Sequence, residues 1–514
     1  MNNMNNRHER TIADRIRAAL AALPERALAA LALRAARRAK ALGLARRLAD
    51  GTLAAIPLSL TPEVLPRAAL EARGRDARLL LSAASKLVLT EPALRARLAA
   101  HLPPFEREAL EQRFSDAGRL AIARVDWFFE GPAHAGRHFA LELNATIPAM
   151  EAYSDVAVRA VAETLAPKNT ERIAALSGRN SDELLASLQA RDAELGRAPA
   201  TRAVLVHRPG DSQLPELGAL VARWRELGVD ARTVEVGDYA LEPGTLVYRH
   251  IFGHRIAEGS AFAAAARAPR EHRLWNPIAA HLELKVLMAE LSAATAGDAE
   301  ARAAAAGLTP DELACAHRTL PWTRPLARGA TLGPDGARVD DLVRYVREHA
   351  KSLVLKTSAG YGGKGVVIGP VAATAAGREA CAHFVDAGVE PTWENVVDAA
   401  AAQPADTWVV QRFVTSVPSR HLLVSADDGV AQWAQGEGGQ PGLPGGRWGA
   451  GALHWGDVFV DASSYTGLGD GFVPGGGVCR FASGHIVNIV GGGGVAPLIT
   501  EDAAALLLEE LSAS

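Results

Sequence analysis

Four polar residues, spaced in two pairs, mark where this chain could do chemistry. Arg124 and Asp126 lie in Leu-Ala-Ile-Ala-Arg-Val-Asp-Trp-Phe-Phe (120–129), and Glu142 and Asn144 in Phe-Ala-Leu-Glu-Leu-Asn (139–144). Side chains alternate along a strand, so the members of each pair share a face. Two oxygen donors on one strand and a carboxylate on its neighbour could hold one or two Mg²⁺ ions, which favour carboxylates together with phosphate oxygens. The plainer reading is the polar outer face of a hairpin, and for Asp126 alone it is the better one. Trp127, Phe128, Leu141 and Leu143 weigh against it, since they imply a buried sheet in which unpaired carboxylates are costly.

A second stretch, 352–369, reads Ser-Leu-Val-Leu-Lys-Thr-Ser-Ala-Gly-Tyr-Gly-Gly-Lys-Gly-Val-Val-Ile-Gly. One β-type run ends in Lys356 and another starts at Val366, with Gly360, Gly362, Gly363, Lys364 and Gly365 between them. This is a hairpin whose flexible tip could lie over phosphates. It is not a dinucleotide fingerprint, because Val-Val-Ile-Gly-Pro cannot open the helix that motif needs. Nor is it a P-loop, because Gly follows Lys364 where Ser or Thr is required. A kinase would need a later strand lysine, and none follows Lys364. Only seven of the 55 Lys and Arg residues are lysine, and three of them are Lys285, Lys356 and Lys364. A compact ammonium suits phosphate oxygens in a way the planar guanidinium does not duplicate.

These groups have to be positioned by a large chain. Its 514 residues exceed one ordinary core, and 48% hydrophobic content with a formal charge of -3 describes a globular protein with no electrostatic call for nucleic acid. Cys315, Cys381 and Cys479 lack disulfide or zinc spacing, so a reducing cytoplasm is the expected home. No apolar run reaches the length of a membrane span, so no membrane association is expected. The Arg/Ala-rich start resembles a transit peptide, but Glu9, Asp14 and Glu25 interrupt it, and it reads as plain helix.

Residues 1–117 read as helical. After the 120–144 hairpin, 145–155 leaves the strand through Pro148 and carries Glu151, Tyr153 and Asp155, which could face a substrate amine; helix follows to about 195, broken near Asn169 and Gly178. Strands at 203–208, 231–236 and 245–250 with a helix at 217–227 imply a small parallel α/β unit. The first and last of these strands end in His207-Arg208 and Arg249-His250. Ligands of such sheets bind beyond the strands' carboxyl ends, so these cations could receive an anionic substrate group; simple solvation is about equally good for any one of them. An apparent helix, 278–291, holds Lys285; 293–306 is Ala-rich linker or helix, 323–332 is loop and 340–349 is helix. Helix at 372–387, strands at 407–414 and 420–425, a glycine-rich loop at 436–451, the stretch 458–465, a glycine-rich loop at 475–494 and a helix at 500–511 complete the chain.

Taken together these residues resemble the circularly permuted ATP-grasp families that include the glutathionylspermidine synthase-like synthetases. The matching pieces are Asn276-Pro277 followed by Lys285, Val354-Leu-Lys356 before the glycine hairpin, Val410-Gln411-Arg412-Phe413, Arg480 with Asn488 and the 491–494 glycines, and Arg124-x-Asp126 with Glu142-x-Asn144. In the unpermuted family the metal triad follows the glycine loop, whereas here it comes first, so permutation accounts for the order. The resemblance runs from about 118 to 500. It implies an α+β ATP-grasp fold with 1–117 a helical region, 118–200 the permuted metal-binding part, 201–275 a small α/β pre-ATP-grasp domain and 276–514 the ATP-binding subdomains. It further implies that Lys285 and Lys356 contact ATP phosphates under Gly360, Gly362, Gly363 and Gly365, with Lys364 assisting. Adenine would meet the strand end at Gln411, Arg412 and Phe413. Asp126, Glu142 and Asn144 would ligate Mg²⁺, and Arg124 and Arg480 would face phosphoryl or acyl oxygens. Gln411 departs from the family, where many members carry an acid.

The activity so implied is ligation of a small-molecule or peptide carboxylate to an amine through an acyl phosphate, using ATP and Mg²⁺. An ATP-grasp phosphotransferase and a non-catalytic nucleotide-binding protein are the alternatives.

Overall fold

The computed structural model describes residues 11–131, 136–295, 300–360, 362–425, 453–469, 476–489 and 492–513. Among them, three sheets decide where the charged groups lie. The largest is seven-stranded, in the order Ser419–Val424, Leu58–Ser59, Gly494–Ala496, Val478–Ala482, Leu453–Thr466, Ala123–Glu130 and Arg137–Asn144. A four-stranded antiparallel sheet runs Thr323–Pro325, Trp408–Arg412, Leu353–Thr357, Val366–Ile368. The third is parallel, with Arg202–His207 between Asp230–Glu235 and Leu246–His250.

The hairpin of Ala123–Glu130 and Arg137–Asn144 forms as its alternation dictates, with Arg124 opposite Asn144 and Asp126 opposite Glu142. Between Asp126 and Trp127 the register shifts, so that Trp127 pairs with Ala140 and Leu141 has no partner across the ladder. Such a bulge re-aims the strand beside it. The 353–368 hairpin also forms as expected, with Lys356 opposite Val366. Its sheet packs against helices Leu342–Glu348 and Trp393–Ala401 around Leu353, Leu355, Val410 and Trp393.

Several expectations change. Helices Ile12–Ala21, Glu25–Ala41, Arg67–Thr90, Pro92–Ala99 and Pro104–Arg113 fill much of the amino-terminal region, but residues 45–65 make four short strands. Leu58–Ser59 enters the seven-stranded sheet and Glu63–Leu65 pairs in parallel with Leu498–Thr500. Strands of two or three residues are too short to show a period of their own, and distant partners bury them. The helix read from 156 starts instead at Glu151, straight after the left-handed residues Ala149 and Met150 (φ 49° and 77°). Lys285 opens the helix Lys285–Ala293 after a 3-10 turn, rather than lying inside a longer one. Thr323–Pro325 is an edge strand and not loop, an allowed place for Pro325. The helix at 372–387 is confined to Ala375–Ala382, and the last helix is Glu501–Ala513. The glycine-rich stretch 436–451 lies outside the described residues. Among the described residues no helix is long and apolar enough to cross a membrane.

Candidate active site

Between the seven-stranded and four-stranded sheets lies an open cleft of about 800 Å³. One wall is the charged face of the seven-stranded sheet. Arg124 Nε donates to Asp126 Oδ1 at 2.7 Å, and Arg480 Nη2 and Asn144 Nδ2 donate to Asp126 Oδ2 at 2.7 and 3.1 Å. Arg124 also donates to the carbonyls of Pro148 and, at 3.1 Å, Ala149, which anchors the exit of the 123–144 hairpin. Asp126 is 3% exposed. Burial alone would raise its pKa, but Arg124 and Arg480 outweigh burial and hold the carboxyl well below the usual carboxylate range.

The opposite wall carries the lysines. Lys356 Nζ donates to the Leu141 carbonyl at 3.3 Å, at the residue the bulge leaves without a cross-strand partner. Lys285 Nζ donates to Gly360 O at 2.9 Å and lies 3.7 Å from Glu142 Oε2, so it spans the two walls. Lys285 is set in place by its own backbone N–H on Ser358 O (3.1 Å) and by Val286 N–H on Ser358 Oγ (3.3 Å). Burial drives the Lys356 ammonium down to about 8, with Glu142 opposing that shift and Lys285 adding to it. Lys364 reaches the cleft from the exposed hairpin tip.

The tip of the glycine hairpin is docked across the gap. Asn488 Nδ2 donates to Gly362 O at 2.9 Å, and a Cβ on Gly363 (φ 76°) would come within 2.4 Å of Ile486 Cγ2. Gly365 (φ 81°) lies so close to Thr357 that a Cβ would fall 2.1 Å from its Oγ1. Both positions need glycine for conformation and for space. Gly360 lines the cleft as well.

Between the charged walls the floor is apolar: Phe128, Val414 and Val487 form one cluster, faced by Val354 and Ile368. Gln411, Arg412 and Phe413 line this part. Their environment modifies the expected contact with a base. The Arg412 and Phe413 amides already donate to Trp322 O and Ser352 O, both at 2.8 Å, and Gln411 Nε2 donates to Thr323 Oγ1 at 3.1 Å. Arg412 pairs with Glu130 (2.5 Å) and lies over the Phe139 ring. Apolar side chains, not those two amides, are what an aromatic base would meet.

Among the described residues no group of three His, Cys, Asp or Glu is arranged to hold a metal on its own. The donor chemistry still fits Mg²⁺, which is usually held by one or two carboxylates and substrate phosphates rather than by an all-protein cage. Glu142 opposes Asp126 across the ladder, with its side chain a third exposed toward the cleft. Asp126 Oδ1 accepts from Arg124 Nε, and a carboxylate oxygen has a second lone pair.

One residue escaped the sequence reading. Asp461 lines the cleft, 2% exposed, and grips Arg480, its register partner on the adjacent strand. Burial pushes its carboxyl up to about 6 against the pull of Arg480. The available signal was a single acid inside the apolar run Val-Phe-Val-Asp-Ala.

Other expected contacts do not reach the cleft. Tyr153 donates to Ala45 O at 2.6 Å, tying its helix to the strand Ala45–Arg47, and Asp155 accepts from the Asn180 and Ser181 amides at 2.9 Å, tying the same helix to Asn180–Glu194, so neither faces an amine in this cleft. Glu151 is buried on the same helix. Of the strand-end cations, Arg249 is fully buried and donates to the carbonyls of Thr146, Ile251, Asn276 and Pro277 at 2.7–3.0 Å. Burial drives His250 down to about 4, favouring the neutral ring. His207 Nδ1 contacts Arg208 O, and Arg208 lies 3.7 Å from Asp211.

No protein-family model matches the chain, and no curated protein matches it in sequence. Its fold is similar to that of a glutathione synthetase-like effector from Globodera pallida, solved in the apo form, with a TM-score of 0.50 at 12% identity over 93% of this chain and 98% of that one. A putative gamma-glutamylcysteine synthetase from Methylobacillus flagellatus gives a TM-score of 0.34 at 11% identity, over 86% of this chain and 96% of that one. At such identities the first likeness concerns the fold alone, and nothing is drawn from the second.

Proposed function

We propose that this protein is an ATP- and Mg²⁺-dependent ligase of the ATP-grasp kind, with its parts in permuted order, joining a small-molecule or peptide carboxylate to an amine. The supporting observation is the cleft: Lys285 and Lys356, with the glycine hairpin, meet Glu142, Asp126 and Arg480 at its charged end, beside an apolar floor. An aromatic base fits the floor, and the lysines fit a polyphosphate. In this reading a substrate carboxylate attacks the γ-phosphate of ATP, giving an acyl phosphate and ADP; the amine then attacks the acyl carbon and phosphate leaves. Bound at Asp126, Glu142 and Asn144, Mg²⁺ would neutralise phosphate charge. Lys285 and Lys356 would stabilise charge on the transferred group, Arg480 would face its oxygens, and the docked tip would exclude water from the acyl phosphate. The likeness to a glutathione synthetase-like fold accords with a ligase.

The experiment is Mg²⁺-dependent ADP release from pools of amines and carboxylates, with hydroxylamine as a trap. A hydroxamate is expected, with its formation falling at least about 100-fold in Lys356→Met and demanding more Mg²⁺ in Glu142→Gln. Turnover that neither variant changes would remove the proposal, and ADP release with no hydroxamate would point to a phosphotransferase.

A further inference from the structure

Arg480 is held between two carboxylates. Its Nη2 donates to Asp126 Oδ2 at 2.7 Å and also to Asp461 Oδ2, while its Nε and backbone N–H donate to Asp461 Oδ1 at 3.2 and 3.1 Å. Asp461 therefore grips the guanidinium at two nitrogens and the backbone besides, and Asp126 touches it at one. The two acids have different duties in the proposed reaction. Asp126 belongs to the metal donor set, and a carboxylate that coordinates a cation gives up much of the charge with which it holds a guanidinium. Once that happens, the direction of Arg480 depends on Asp461.

A buried ion pair is a poor stabiliser, because desolvating two charges offsets most of their attraction. What it provides is orientation, and a planar guanidinium recognises phosphoryl or carboxylate oxygens only when its fork is aimed at them. We infer that Asp461 is a positioning residue: it keeps the Arg480 fork aimed into the cleft while Asp126 is engaged by metal. This role rests on the proposed reading of the cleft as a nucleotide site.

A double-mutant cycle over Asp461→Asn and Arg480→Ala tests it, with turnover, affinity for a Mg²⁺-loaded non-hydrolysable ATP analogue, and melting temperature as readouts. Asp461→Asn should lower kcat roughly 10- to 100-fold, as misdirecting one charged donor does, and leave analogue affinity within about 3-fold. In the Arg480→Ala background it should do nothing further. Added methylguanidinium should restore part of the turnover of Arg480→Ala when Asp461 is present and none when it is Asn. Equal losses in both backgrounds, or equal rescue in both, would overturn the role. If Asp461→Asn does not fold, Asp461→Glu in the same two backgrounds makes the comparison, with a displaced fork and the same non-additivity expected. A wild type that binds no nucleotide withdraws the nucleotide reading and this role with it; a wild type that binds while the cycle stays additive withdraws the role alone.

Discussion

Two places in this molecule gather cations, and they use them in opposite ways. In the parallel sheet, Arg249 directs its guanidinium at four backbone carbonyls and ties the exit of the 123–144 hairpin to Asn276-Pro277. In the cleft, Lys356 makes a single hydrogen bond among the described residues, to Leu141 O, and Lys285 one, to Gly360 O. An ammonium has three donors, so each lysine retains capacity for a ligand, whereas Arg249 is committed to the scaffold. Cation type and strand-end position looked equally promising in sequence; the number of donors left over separates them.

The comparison can be broken at several strengths. Lys356→Met should cost about 10²- to 10³-fold in ATP turnover, the usual effect of removing one charge-stabilising donor, and should leave the melting temperature unchanged or raised because a buried charge disappears. Arg249→Met should do the reverse. Leaving four buried carbonyls unsatisfied should destabilise the fold by at least about 4 kcal/mol, read by denaturant titration. A stable Arg249→Met with impaired substrate binding would reverse the assignment.

Glu142→Gln comes next, with an expected rise of roughly 10-fold or more in the Mg²⁺ concentration for half-maximal turnover. Then comes pH. Lys356 is held near 8 in the folded protein against about 10.5 unfolded, so below pH 8 it is charged in both states and burial of that charge opposes folding. Between pH 8 and 10.5 the unfolded state binds more protons, and this opposition is relieved as pH rises. Function moves the other way: loss of the charge should raise the KM for ATP between pH 7 and 9, and Lys356→Arg, charged throughout, should flatten that rise. The smallest effect on activity expected is that of Gly363→Ala, a few-fold increase in KM for ATP, with the strain of a Cβ at φ 76° costing about 1 kcal/mol of stability.

Both hairpins were legible because period-2 alternation is a local signal, and Asp126, Glu142 and Asn144 came into view with it. The bulge that exposes Leu141 O to Lys356 was not, since it is a property of how two strands pair. Strands such as Leu58–Ser59 were hidden for a related reason: their partners lie hundreds of residues away. Asp461 was missed because a single carboxylate in an apolar strand has meaning only once Arg480 is seen opposite it. Glu151, Tyr153 and Asp155 misled because Pro148 reads as the start of a loop, when two left-handed residues turn the chain straight into a helix.

The strand order of the large sheet also sets a timetable for folding. Leu58–Ser59 lies between Ser419–Val424 and Gly494–Ala496, so the sheet that carries Asp126 and Glu142 cannot be completed until residue 496 has left the ribosome. Until then its early strands have exposed edges, and pairings of such long sequence separation form slowly. The charged wall of the cleft is therefore among the last parts of the molecule to become rigid during synthesis, and a nascent chain short of residue 494 would offer those edges to other chains.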